Sequence, residues 1–197
     1  DLAKIHEKVA KDTGVSIAIA VAPADLYRVS QAVSIPVFAQ HIDAVDYGSC
    51  TGKILPQSVK KNGAIGTLLN HSENRINENI LEQTISLAQK TSLMRILCAE
   101  NPTEVEKFAG FDVDFIAFEP PELIGSSDKS VSSEAPESII ESVKKAKVIP
   151  LIVGAGINSA KDVAVALKLG AMGFLVASAI VKADDPEVAL KAIVQPM

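Results

Sequence analysis

An α/β fold built as a (β/α)8 barrel with its first β-strand missing, seven strands and eight helices, is what this sequence predicts. Three observations carry that expectation. Short apolar runs of strand length alternate strictly with segments of helical spacing. Several of the runs, such as Phe115-Ile116-Ala117-Phe118 and Leu151-Ile152-Val153, are apolar on both faces, like strands of a buried parallel sheet. Polar, glycine-rich residues follow nearly every run, at the rim where barrels of this kind place their sites. A doubly wound open sheet is the alternative architecture.

The chain opens in a helix, with Leu2, Ile5, Val9 and Ala10 at helical spacing and Gly14 ending it. Strands are expected at Val15–Ala22, Pro36–Gln40, Ala64–Asn70, Met94–Cys98, Asp114–Glu119, Ile149–Gly154 and Gly173–Ala177. Further helices are expected at Ala24–Val33, Pro56–Asn62, Ile76–Thr91, Pro102–Ala109, Ala135–Ala146, Ser159–Leu169 and Pro186–Ile193. Asn101, Ser159 and Asp185 suit N-caps, because a short polar side chain there accepts from free first-turn amides. Gly14, Gly63 and Gly170 suit helix ends, where the chain turns left-handed.

The 197 residues are enough for one large domain, expected to span 1–197. Hydrophobic residues make up 48% and aromatics 4%, so the core is aliphatic. The net charge of −5, without a basic cluster, argues against nucleic acid and anionic membranes as partners. Cys50 and Cys98 do not make a disulfide framework, which fits a reducing, cytoplasmic compartment. No apolar run reaches the roughly 18 residues that a membrane span needs. No cofactor and no metal are expected.

The most informative stretch is Leu69-Asn70-His71-Ser72-Glu73-Asn74-Arg75, where a short apolar strand ends in a polar cluster. Further on, Phe118-Glu119-Pro120-Pro121-Glu122-Leu123-Ile124-Gly125 delivers a carboxylate at the end of another strand. A neutral imidazole can polarise a carbonyl, and a carboxylate beside it can move the proton on the adjacent carbon.

These segments, with Phe38-Ala39-Gln40-His41, Gly48-Ser49-Cys50-Thr51-Gly52, Gly154-Ala155-Gly156-Ile157 and Ala177-Ser178, resemble the triosephosphate isomerase family in its shorter, archaeal form. The resemblance runs over essentially the whole chain. It implies a TIM barrel that interconverts glyceraldehyde 3-phosphate and dihydroxyacetone phosphate without a cofactor. A Glu base beside a neutral His is the established pairing of that family. The resemblance puts Glu119 in the role of base and His71 in that of electrophile. The helix start at Ser72-Glu73-Asn74 would keep the imidazole neutral through its positive end. Glu73 matches an acid that pairs with a catalytic lysine.

By the same resemblance, Ile124, Gly125, Gly156, Ala177 and Ser178 would bind phosphate through backbone amides, so no basic cluster is required. Pro120 to Pro136 matches a lid that closes over substrate. The loop Gly48 to Gly52 would reach into a neighbouring subunit of a dimer or tetramer, with His41 structural near that contact and His6 exposed. The family's first strand carries an Asn and, two residues later, a Lys. No residue here matches that lysine. Its charge should be worth on the order of 3 kcal/mol, about a hundredfold in rate. The polypeptide as written is therefore expected to be a weak or inactive isomerase. Two other functions remain open: another phosphate-binding barrel, such as one from indole or histidine biosynthesis, or an impaired chain that only binds phosphorylated ligands.

Overall fold

The computed structural model describes residues 1–120 and 136–197. In chain order the elements are α1 (Leu2–Thr13), β1 (Ile19–Val21), α2 (Leu26–Ser30), β2 (Val37–Ala39), α3 (Pro56–Lys61), β3 (Gly66–Leu69), α4 (Glu78–Lys90), β4 (Met94–Ala99), α5 (Pro102–Phe108) and β5 (Phe115–Phe118). Then follow α6 (Pro136–Lys145), β6 (Leu151–Val153), α7 (Ala160–Lys168), β7 (Gly173–Phe174), α8 (Ser178–Val181) and α9 (Pro186–Val194). All seven expected strands form. Among the described residues there are nine helices rather than eight, because the four-residue α8 stands between the last strand and the last long helix.

The strands pair in parallel and in chain order, β1 to β7, with no reversal. That order excludes the doubly wound sheet, whose strand order must reverse at a switch point. Side-chain alternation then sorts two cores. Phe38, Leu68, Ile96, Cys98, Ala117 and Ile152 pack together on one face, joined by Met94, Phe115 and Leu175, all of them on or next to strands. Their sequence neighbours Val37, Leu69, Leu97, Ile116 and Val153 pack on the other face with residues of the helices. A sheet with helices on one face and its own side chains on the other is curled, as in a barrel.

The curl is nearly complete at the helix layer. Helix α1 packs against α9, and Lys8–Glu187 and Lys191–Asp12 ion pairs link them at 2.6 and 2.9 Å. The strand layer stays open, since β1 and β7 do not pair with each other. β4, in the middle of the sheet, has six residues, whereas β1 has three and β7 two. Both edge strands are shorter than the sequence predicts, as are the interior strands β2, β3, β5 and β6.

The expected caps form. Asn101 accepts from the Glu104 amide, Asp185 from those of Glu187 and Val188, and Ser159 makes a reciprocal capping box with Asp162. Gly14, Gly63 and Gly170 all have left-handed backbone after their helices. His6, expected to be exposed, is half-buried, and its Nδ1 lies 2.8 Å from the Leu2 carbonyl oxygen one turn earlier.

Helix α1 is also tied to the start of β2. Glu7 Oε1 accepts from the Ser34 hydroxyl at 2.5 Å and the Ser34 amide at 2.7 Å. These bonds, with Lys11 beside them, pull the Glu7 carboxyl from an ordinary 4.5 down to about 2. A lowered folded-state value means that the native chain holds this proton less tightly than the unfolded chain. The contribution is therefore complete above about 4.5 and lost as pH falls towards 2. Glu7→Gln should flatten the stability profile in that window. Thermal melts of both proteins between pH 2 and 6 measure it; parallel profiles would refute the clamp.

Inside the barrel, Gly66 makes room for the ring of Phe38. A Cβ at residue 66 would stand 2.6 Å from Phe38 Cδ1 and 2.7 Å from the Met94 carbonyl oxygen. The ring can turn away, but a backbone carbonyl in the ladder cannot. Gly66→Ala should destabilise the fold by about 3 kcal/mol, the upper end for overpacking. Chemical denaturation reads this directly, and a change below about 0.5 kcal/mol would contradict the packing.

Candidate active site

Beyond Leu69 the chain makes a turn that the sequence pattern alone does not reveal. Asn70 is buried and takes a left-handed backbone with φ of 61°. Asparagine tolerates that region better than most residues. Its amide nitrogen donates to the Cys98 carbonyl oxygen at 3.0 Å, and its Oδ1 accepts from the Ile76 amide at 2.9 Å. Arg75 adds a bond to the Asn70 carbonyl oxygen at 3.3 Å. The same guanidinium pairs with Glu104 and, at 3.4 Å, with Glu100. Strand β3, the turn after it and the start of α5 are thus one polar unit, and His71 stands on it.

Residues Ser72–Asn74 form a single 3-10 turn. The Glu73 amide donates to His71 Nδ1 at 3.3 Å. A nitrogen that accepts carries no proton, so the proton of the neutral ring sits on Nε2. That one backbone amide, aimed at one ring nitrogen, orients the imidazole.

Nε2 faces Glu119 Oε1 at 3.7 Å. This is beyond hydrogen-bond reach, so neither group is consumed by the other. Glu119 follows β5, which alternates so that Ala117 and residue 119 share the interior face. It is only 3% exposed, and its Oε2 is buried with no hydrogen-bond partner among the described residues. Burial raises the Glu119 pKa, because the charged form loses its water. His71, Cys98 and Arg75 oppose the rise, while Glu73 adds to it. The buried thiol of Cys98 lies against the carboxylate and is itself pushed well up, by burial first and then by the Glu119 charge. Such a carboxyl is matched to taking and returning protons rather than to ion pairing.

The Glu73 carboxylate is 83% exposed and lies 3.7 Å from His71 Nδ1. Among the described residues it forms no ion pair with a Lys or Arg. Gly156 follows β6 with a left-handed φ of 64°, a conformation that glycine adopts without cost. Ala177 and Ser178 follow the neighbouring β7, and Ser178 begins α8. These backbone groups therefore lie at the carboxyl ends of adjacent strands. Ile124 and Gly125, and the lid expected from Pro120 to Pro136 apart from its two end residues, lie outside the described residues. His41 is largely buried, 3.8 Å from Asp43, and burial lowers its pKa. Among the described residues no group of three or more His, Cys, Asp or Glu side chains could hold a metal ion. None of their helices is long and apolar enough to cross a membrane.

Sequence reasoning found His71, Glu73 and Glu119, and the structure brings them together. It missed Asn70, Arg75 and Cys98. A signal existed for Cys98, which falls two residues after Ile96 and so shares its interior face. No comparable signal ties Arg75 to α5.

A curled parallel sheet with a buried carboxylate facing an imidazole at its mouth has the architecture of a barrel enzyme. Comparison with known proteins makes the class specific. The family model for triosephosphate isomerase matches residues 1–197. The chain is 45% identical over 198 residues to the triosephosphate isomerase of Methanothermobacter thermautotrophicus, covering 98% of this chain and 86% of that protein. It is 43% identical over 197 residues to that of Methanobacterium bryantii, with coverage of 98% and 87%. It is also 43% identical over 190 residues to that of Saccharolobus solfataricus, with coverage of 95% and 83%. The chain belongs to the triosephosphate isomerase family.

Proposed function

We propose that Glu119 and His71 carry out the interconversion of glyceraldehyde 3-phosphate and dihydroxyacetone phosphate. The carboxylate takes a proton from the carbon beside the carbonyl. The electron pair left behind forms the carbon–carbon double bond of an enediolate, and negative charge moves to the carbonyl oxygen. His71 stabilises that oxygen through its Nε2–H, gives it that proton and takes the proton of the adjacent hydroxyl in exchange, so the negative charge passes to the second oxygen. As that oxygen becomes the new carbonyl, Glu119 returns its proton to the former carbonyl carbon, so the substrate is isomerised with no net gain or loss of protons or electrons. The observation that carries this reading is the buried Glu119 carboxylate, with one oxygen unpartnered among the described residues and the other 3.7 Å from His71 Nε2.

Phosphate is held in this reading by the backbone amides of Gly156, Ala177 and Ser178, with Ile124 and Gly125 as the further contributors that the resemblance implies. Amides at strand ends suit a dianion without basic side chains. Self-association runs through the loop from Gly48 to Gly52. Its base is stapled, since Asp43 Oδ2 accepts from the Ile54 amide at 2.6 Å, while Gly48 to Gly52 stay exposed apart from a half-buried Cys50.

Two measurements on the purified chain test the proposal. Turnover of glyceraldehyde 3-phosphate in a coupled assay, lost in Glu119→Gln, supports it. Binding of phosphoglycolate without turnover would leave a phosphorylated-ligand binder instead. A folded chain that does neither would sink the reading.

A further inference from the structure

We infer that Gly154 is a positioning residue for Glu119, holding the carboxylate in its place by having no side chain. The inference rests on the isomerase reading for its kinetic consequence, but its structural content stands without it. Gly154 follows β6, and its amide donates to the Phe118 carbonyl oxygen at 2.9 Å, which locks it beside residue 119. A Cβ built on Gly154 would stand 2.6 Å from Glu119 Cγ and 2.9 Å from Cδ, and closer still to Oε1. Real Cβ atoms do not come so near, so Glu119 occupies space that any other residue at 154 would fill.

The backbone of Gly154 lies outside the left-handed region that Gly156 adopts. Alanine would therefore suffer no conformational strain there, and the obstacle is Glu119 itself. Because Cγ and Cδ are both too close, turning the terminal carboxylate alone does not relieve the clash. The whole side chain must leave its position, away from the 3.7 Å contact with His71. Its other side is closed by the buried Cys98. Gly154 and Cys98 together leave a slot one carboxylate wide, and the slot fixes which way the base points.

Gly154→Ala should keep the fold and lower kcat about a hundredfold with little change in KM, the scale expected when a reacting group moves by about 1 Å. A second readout needs no turnover. The His71 ring, followed by NMR against pH, senses the charge on Glu119, and that response should shrink or vanish in the variant. Glu119→Ala, which removes Cγ and Cδ, clears the added Cβ. In that background Gly154→Ala should therefore cost far less stability than it does in the native chain. If Gly154→Ala does not fold, the double variant decides: it folds if the clash is the cause, and a double that also fails overturns the inference. Unchanged kcat with an unchanged His71 response would overturn it, as would strictly additive effects of the two substitutions. Should Glu119→Gln leave isomerisation intact, the isomerase reading falls, while the His71 response still judges Gly154.

Discussion

Glu119→Gln should abolish most of the isomerisation and, at neutral pH, make the fold more resistant to denaturant. In the proposed mechanism the kinetic loss follows from removing the carboxylate that moves the proton; general base catalysis is worth about a hundredfold to ten-thousandfold. The gain in stability follows from burial. Glu119 is 3% exposed, and loss of water raises its pKa above the ordinary 4.5. The native state therefore binds this proton more tightly than the unfolded chain does. The stability linked to it is fully present below about 4.5 and is lost as pH rises through the raised folded value. Glutamine mimics the protonated form at every pH. The two proteins should be equally stable in acid and diverge as pH rises, with the variant ahead. Denaturant midpoints at several pH values, beside kcat, decide the matter. A variant less stable at pH 7 by the margin it shows in acid would mean that the carboxylate is not held at a cost. Cost of this kind is common where function requires a charge in a poorly solvated place.

The second large effect concerns the open seam. A strand added before α1, carrying an Asn and a Lys two residues later, should raise kcat/KM by about a hundredfold or more. The seam lies between β1 and β7, which are the two edges of the sheet. An eighth parallel strand there pairs on both sides and gives the outer residues of the short edge strands their missing partners. The helix layer already closes around that gap through α1 and α9. A lysine delivered to the mouth would meet Glu73, whose carboxylate is exposed and pairs with no Lys or Arg among the described residues. Replacing that lysine by Met in the extended chain should keep the gain in stability and lose the gain in rate. If the extended chain folds more stably and turns over no faster, the electrostatic role expected of that lysine is wrong.

Much of the molecule was legible in one dimension. The seven strands could be read because each is a run of apolar residues bounded by turn formers, and burial on both faces leaves no polar alternation to confuse with a helix. The caps at Asn101, Ser159 and Asp185 could be read because capping is a local transaction between a side chain and amides two or three residues on. His71 and Glu119 could be read because each ends a strand in a distinctive polar segment. The glycines proposed to bind phosphate were legible only as candidates, since a glycine at a strand end serves a turn equally well.

The sequence by itself determined the order of the strands and longer helices, the two residues proposed here as the acid–base pair and an aliphatic core with little charge to spare. Only the tertiary structure decided the rest. The curl of the sheet came from its strand order and its two cores, which exclude the doubly wound alternative. The tautomer of His71 came from one backbone amide. The bond from Asn70 to Cys98 spans 28 residues, and the Arg75 pair with Glu104 spans 29. The slot around Glu119 came from Cys98 on β4 and Gly154 just after β6, the two strands that flank β5. The physical reason is common to all of these. Periodicity and capping are set by neighbours along the chain, whereas protonation, desolvation and steric room depend on which distant residues the closed fold brings together.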